Sequence, residues 1–526
     1  MIMTDASHQS SLRSCMCVCC GDGGDARAGF RAEGASRRGF LTAGAALVAG
    51  SAAAPMLPTT TLAQGGQGSQ GAQGGNAAAG PVDPDLTRLQ QQRRILLKGG
   101  VVLTLDRQVG DFAQADVLIE DGKIREIRPD IAVSTDSVAV VDAANRIITP
   151  GFVDTHSHSY QGILRNILAD GLLEPDYNRD IQNNATLVYQ PEDAYAGLLM
   201  SALGFIDMGT TTVVDISQCS HTPQHSDAMI RALQDSGIRA VYSYHRGAGP
   251  AQQYPQDIKR LQRTYFSSKE QLLTLALTAN LNANVYSVAR EIGVPIVQHL
   301  VGHDLNKQVQ DLAQAGLMRP GDEYIHCLGI NDATWKLLKD SGANVSLCSA
   351  IDMTMGHGIP TIQQALDYQF RPSLSSDHGV TIAQDMFSNM RATLMFQRMQ
   401  ALDRGRKGEQ NPPSLISCRD LLEFATTAGA RCANLDSKVG TLTPGKDADI
   451  VMLRADRLDI WPLSNAYGTV VNFMNPGHIE AVLIAGKVKK WRGTLVGVDM
   501  AKVLRMAQEA RDGVMERAKL KLNLLG

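Results

Sequence analysis

The sequence predicts an α/β protein built on a parallel sheet, open or closed, with one strand-rich segment before it and another after it. Three observations carry this. From Gly151 to about Asn434, short apolar runs alternate with stretches of helical period, the pattern of repeated β–α units. Residues 95–150 and 435–499 carry short strand-like runs punctuated by turns. The chain has 526 residues, where roughly 100–200 per domain suggests two or three domains and an α/β barrel alone takes about 250.

The chain opens with a leader. Ser36-Arg37-Arg38-Gly39-Phe40-Leu41 resembles the twin-arginine export signal. The apolar stretch that follows, to about Leu57, is too short and too rich in Ala and Gly for a membrane span. Small residues place candidate cleavage sites after Ala54 or Ala63. Residues 1–63 are therefore read as a signal region. The resemblance implies an exported protein, periplasmic or secreted, handled by the twin-arginine machinery and not integral to the membrane once the leader is removed. Residues 64–94 follow as a linker. Gln64 to Gly80 is rich in Gly, Gln and Ala without a hydrophobic period, and a short polar helix fits Asp83 to Arg94.

In 95–150, Val101–Leu105 reads as a strand. Asp116–Glu120 is followed by Asp121-Gly122 and the alternating Lys123–Ile127, a hairpin signal. Within 151–434, Thr211–Asp215, Arg239–Tyr242 and Val294–Val297 read as strands, and Ser226–Ser236 and Ala283–Ile292 as helices. In 435–499, a turn at Thr443–Asp449 feeds the apolar Ile450–Leu453, and Ile479–Val488 is a second strand region. A polar, amphipathic helix from Met500 to about Lys519 closes the chain within 500–526.

Composition excludes several classes. Hydrophobic residues at 44% and charged residues at 20% are an ordinary globular balance. A net charge of −3 implies no basic face for nucleic acid, and 5% aromatic residues give no stacking platform for single strands. Of nine cysteines, Cys15, Cys17, Cys19 and Cys20 fall in the leader. Cys219, Cys327, Cys348, Cys418 and Cys432 are scattered and read as mostly buried thiols, not a disulfide framework.

The chemistry is concentrated in histidines that end apolar runs. In Pro150-Gly151-Phe152-Val153-Asp154-Thr155-His156-Ser157-His158, the i, i+2 spacing puts His156 and His158 on one face of a strand. Val294–His299 and Glu323–His326 each end in histidine, and Pro372–Asp377 ends in aspartate. Separations along the chain match successive β–α units, and barrel enzymes gather their active sites at such strand ends. Imidazoles and a carboxylate collected this way bind a divalent metal. His221, His225, His245, His303, His357 and His478 are read as surface or loop residues, with His303 and His357 within possible reach of the pocket.

This order of motifs resembles the amidohydrolase superfamily, and within it the cytosine deaminase and triazine hydrolase branch. Leu435–Asp449 is similar to the tail that branch carries after its barrel, and Asp385-Met386-Phe387 with Met390-Arg391 to the segment after its last catalytic strand. The resemblance covers nearly all of residues 95–500. It implies a (β/α)₈ TIM barrel over 151–434, with the two flanking segments forming a small β-sandwich. It implies His156, His158, His299 and Asp377 as metal ligands and His326 facing water or substrate. It also implies a small-molecule substrate and hydrolysis of non-peptide carbon–nitrogen bonds; the branch commonly forms dimers or larger assemblies, which leaves a homo-oligomer open.

In such a site Asp377 takes a proton from water and passes it to a leaving nitrogen, and His326 orients the nucleophile or stabilises developing charge. One metal is expected, because no bridging lysine stands on the candidate fourth strand Leu273–Leu277. Zinc is the first choice and iron the second. Tyr160, Gln161, Arg165 and Asp352 are candidate substrate contacts; a solvated loop is the other reading of Asp352. One departure stands out. The deaminase branch usually carries a glutamate three residues after the third histidine, and here that position is Gly302. The expected activity is hydrolysis of a cyclic amide, urea or amino-heterocycle. Aminohydrolysis or chlorohydrolysis of a heteroaromatic ring is the alternative, and an exported binding protein with a degenerate site is the third.

Overall fold

The computed structural model describes residues 83–134 and 136–525. The twin-arginine motif, the early cysteine run and the Gly/Gln-rich stretch lie outside the described residues. Eight parallel strands form one sheet in chain order: β1 (Phe152–Ser157), β2 (Thr210–Ser217), β3 (Arg239–Tyr244), β4 (Leu273–Thr278), β5 (Ile296–Val301), β6 (Glu323–Leu328), β7 (Asn344–Leu347) and β8 (Ser373–Leu374). The sheet closes between its first and last strands. Asp377 N donates to His156 O at 2.9 Å and His158 N to Asp377 O at 2.7 Å, just beyond the end of β8. The sheet is therefore a closed barrel.

Every residue of β1, β2, β3 and β6 is buried. Helices cover the outer face and side chains fill the interior, so these strands read as continuous runs and not as alternations. The helices have clear ends. Pro223–Ser236 starts with proline at its first position, three residues before the sequence signal at Ser226, and stops at Gly237 with φ 68°. Ala283–Ile292 is capped by the Asn282 side chain and ends at Gly293 with φ 74°.

Residues flanking the barrel hydrogen-bond into one nine-stranded sheet. The join is antiparallel, between Arg146–Pro150 and Ile450–Arg454, with Ile148 opposite Met452. The sheet curls back on itself: Ile124 N donates to Lys446 O at 2.9 Å and Ala448 N to Gly122 O at 2.8 Å. The small β-layer is thus a single curled sheet around its own core, which includes Leu97, Val117, Ile119, Ile148, Ile450 and Leu483. Its hairpin turns at Asp121 (φ 50°) and Gly122 (φ 79°), the two positive φ values a tight hairpin requires.

Buried Arg239, at the start of β3, ties barrel to sheet. Its guanidinium reaches Asp449 through two hydrogen bonds of 2.9 and 3.0 Å and Asp447 through one of 2.9 Å. Within the segment read as linker, Pro84–Gln91 is helical. The closing helix, Met500–Ala518, stops one residue short of the expected end because Lys519 is left-handed (φ 54°). It packs against Pro191–Asp207 and donates from Arg517 to Val188 O and Asp193. Among the described residues no helix is long and apolar enough to cross a membrane.

Candidate metal centre

The strand ends bring His156, His158 and His299 together. His156 Nε2 lies 3.1 Å from His158 Nε2 and 3.1 Å from His299 Nε2. Asp377 Oδ1 lies 3.3 Å from His158 Nε2 and 3.6 Å from His156 Nε2. Donors about 2.1 Å from a shared tetrahedral ion stand about 3.4 Å apart, so this set fits a divalent metal. Electrostatics agree. Burial first, and then the neighbouring imidazoles, push all three histidines well below the ordinary histidine range. They remain neutral and present lone pairs, the form that ligates. His156 Nδ1 contacts Cys348 Sγ at 3.3 Å, which leaves Nε2 turned to the centre.

Beneath the ligands, buried Asp154 stitches β1 to the segment after β8. Its Oδ1 accepts from His156 N at 3.2 Å and Ser376 N at 3.1 Å, and Oδ2 accepts from the Ser376 hydroxyl. Burial raises its carboxyl to about 7 against those hydrogen bonds. Two candidate site residues sit on strained backbone: His326 has φ 62° and Asp377 φ 63°. Left-handed geometry at a non-glycine residue costs of order 1–3 kcal/mol and concentrates at functional sites.

His326 faces Asp377 across the centre, with Nε2 3.8 Å from Oδ2. Its other nitrogen, Nδ1, is 2.8 Å from Asp352 Oδ1, and His357 Nδ1 is 3.2 Å from the same oxygen. Asp352 is therefore not a solvated loop residue. It is buried in the short helix Ser349–Thr354 that follows β7. Burial alone would raise its carboxyl, but His326 and His357 hold it below the usual carboxylate range.

A cavity of about 20 Å³ opens over these residues, lined by His158, Leu173, Tyr177, His299, Val301, His326, His357, Asp377 and His378. That volume holds about one water. Tyr160 and Gln161 are not in this lining. The turn after β1 winds into the buried helix Ser159–Leu164, so both stand behind Tyr177, whose hydroxyl accepts from Gln161 Nε2 at 2.9 Å. Arg165 is exposed and donates to Met200 O at 3.3 Å. Sequence reasoning missed His378, although it adjoins Asp377.

The surface reading fails for His221, His225, His245 and His478, all of them buried, although His221 and His245 do lie in loops. Burial is tolerated where ring nitrogens find partners. His221 Nε2 reaches Thr186 O at 2.8 Å while Nδ1 accepts from Ala248 N at 2.9 Å. His225 Nε2 reaches Tyr189 O at 3.1 Å, and His478 Nε2 reaches Asp459 Oδ2 at 3.0 Å. His245 Nδ1 reaches Arg246 O at 2.7 Å. His303 is exposed, and His357 joins the cavity. Gly302 has φ 132° and ψ 154°, a conformation no L side chain adopts without strain.

A closed parallel barrel with three imidazoles and a carboxylate converging at its strand ends defines a metal-dependent hydrolase. The amidohydrolase family model matches residues 147–489, well over half of the chain. The chain belongs to that family, and it is a hydrolase of the class acting on carbon–nitrogen bonds other than peptide bonds. It is similar to a 5'-deoxyadenosine deaminase of Methanosarcina mazei, 24% identical over 449 residues that cover 80% of this chain and 99% of the relative. It is also similar to a 5-methylthioadenosine/S-adenosylhomocysteine deaminase of Caldicellulosiruptor saccharolyticus, 25% identical over 430 residues, 77% of this chain and 95% of the relative. Among solved structures, a zinc-bound adenosine deaminase from Xanthomonas campestris matches with TM-score 0.69 and 19% identity, covering 80% of this chain and 98% of its own. A zinc-complexed atrazine chlorohydrolase from Arthrobacter aurescens matches with TM-score 0.68 and 20% identity, covering 79% and 100%.

Proposed function

We propose that this chain is an exported, zinc-dependent aminohydrolase that removes an exocyclic amine from a nitrogen heterocycle. The observation that carries the reading is the convergence of His156, His158, His299 and Asp377 on one point. The deaminase activities named for its curated relatives support the substrate class. When bound, the divalent ion supplies a Lewis acid and lowers the pKa of water. Asp377 accepts a proton from the attacking water and returns it to the leaving nitrogen. Nδ1–H of His326 is donated to Asp352, so the opposite nitrogen, Nε2, is the lone-pair face that orients that water. Leu173 and Tyr177 line the cavity beside these groups.

Metal analysis of the mature protein should find about one zinc per chain. Ammonia release should follow from a panel of adenosine, 5'-deoxyadenosine, guanine, cytosine and melamine. Full turnover by metal-free protein, or a panel that yields no ammonia, would overturn the proposal. Gly302 favours a second reading, ring opening of a cyclic amide or urea, because no acid stands there to protonate a ring nitrogen. That reaction gives a ring-opened product without ammonia. Export rests on Arg37 and Arg38 ahead of an apolar run. Replacing both by lysine should hold the protein in the cytoplasm, and unchanged export would remove that part.

A further inference from the structure

His378 is 1% exposed, yet among the described residues neither of its ring nitrogens has a hydrogen-bond partner. Native proteins rarely leave a buried polar side chain in that condition, and each case calls for an explanation. The ring is held firmly. Its face lies on Tyr177, with centroids 4.6 Å apart and planes 14° from parallel. The Tyr177 hydroxyl accepts from Gln161 Nε2 and Gln182 Nε2, both at 2.9 Å. The backbone beyond His378 is pinned as well: Asn166 N donates to Gly379 O and Leu168 N to Val380 O, both at 2.9 Å. His378 lines the cavity beside His158, His326, His357 and Asp377.

A preorganised imidazole with one face covered has only its edge to offer, one N–H donor and one lone pair. The missing partner must come from the cavity side. Gly302, at the end of β5, supplies no side chain to meet a ring nitrogen there. We infer that His378 is the specificity residue that hydrogen-bonds a ring nitrogen of the heterocyclic substrate, with Tyr177 as the platform that fixes its edge. This deepens the aminohydrolase reading and rests on it. It adds a substrate requirement: the ring carries a nitrogen next to the carbon that is attacked, so that its edge meets His378.

The test uses the zinc-loaded mature enzyme and three variants. His378→Phe keeps the stack and removes both nitrogens; His378→Gln restores a donor and an acceptor; Tyr177→Phe keeps the platform and removes its hydroxyl. The substrate is 5'-deoxyadenosine, and its 1-deaza analogue, in which carbon replaces the ring nitrogen beside the reacting carbon and hydration is blocked, serves as a competitive inhibitor. Wild type should favour 5'-deoxyadenosine at least tenfold in affinity, read as the Ki of the analogue over the KM of the substrate. H378F should lose tenfold or more in kcat/KM on 5'-deoxyadenosine and bring that ratio to about one, with zinc content and melting temperature unchanged. H378Q should recover most of the loss, and Y177F should fall between wild type and H378F. If H378F keeps the wild-type ratio, or loses zinc, the inference falls while the aminohydrolase reading stands. If wild type releases no ammonia from 5'-deoxyadenosine or from the wider panel, both fall.

Discussion

In the proposed mechanism Asp377 combines three duties at one position: donor to the centre, proton carrier and, in the structure itself, backbone partner of His156 and His158. Asp377→Asn keeps the shape and removes the base. Steady-state assays should show kcat reduced about 10²–10⁴-fold. In a protein that only bound its ligand, the same change would leave affinity untouched, which separates an enzyme from a degenerate relative. Asp352 acts through His326 and is a positioning residue. Asp352→Asn should lower kcat about 10–100-fold with KM and zinc content little changed, and it should alter the pH profile of kcat. An unchanged profile would mean that Asp352 does not set the state of His326. At this scale the sequence was legible where chemistry falls at the end of an apolar strand: His156, His158, His299, His326 and Asp377. Asp352 and His378 were harder to read because each lies past its strand, where one residue of rotation decides between cavity and solvent. Burial of histidines 221, 225, 245 and 478 was not legible because histidine pattern carries no record of the backbone carbonyls and carboxylate that meet their ring nitrogens.

Strands and helices of the barrel announced themselves through apolar runs and caps, and the Asp121-Gly122 hairpin through its turn residues. The pairing partners of the flanking strands did not, because hydrogen-bond register between residues 146–150 and 450–454 leaves no periodic trace in either segment. What fixes the β-layer to the barrel is also invisible in pattern: Arg239 reads as the first residue of a strand, yet it is buried against Asp447 and Asp449. Arg239→Ala leaves buried Asp449 without its cationic partner, while Asp447 keeps Lys123 at 2.8 Å. Denaturant unfolding should show a loss of about 3–5 kcal/mol, the usual result of removing one partner of a buried ion pair. A loss under about 1 kcal/mol would mean that water reaches this junction.

Across the whole molecule, pH sensitivity follows from buried neutral histidines. Burial pushes His245 down to about 4 and lowers His221 and His225 as well. In the unfolded chain these groups titrate near 6.5. Above about pH 6.5 neither state binds the protons and stability is level. As pH falls from there towards 4, the unfolded chain takes up protons that the folded chain refuses, and stability drops. His245 alone accounts for a loss of about 2 kcal/mol by pH 5. Denaturant midpoints at pH 7.5 and pH 5 should draw closer together in His245→Gln; an equal gap in wild type and variant would assign the acid sensitivity to other groups.

The seam that shuts the cylinder runs through residues 156–158 and 377, the same positions that offer donors to the ion. A divalent ion held at this place would act as a rivet across the joint where the first staves and the last ones meet. Chelation should therefore loosen the wall as well as silence the chemistry. In hydrogen-exchange measurements, amides 156, 158 and 377 should lose protection before those between β4 and β5 on the opposite side.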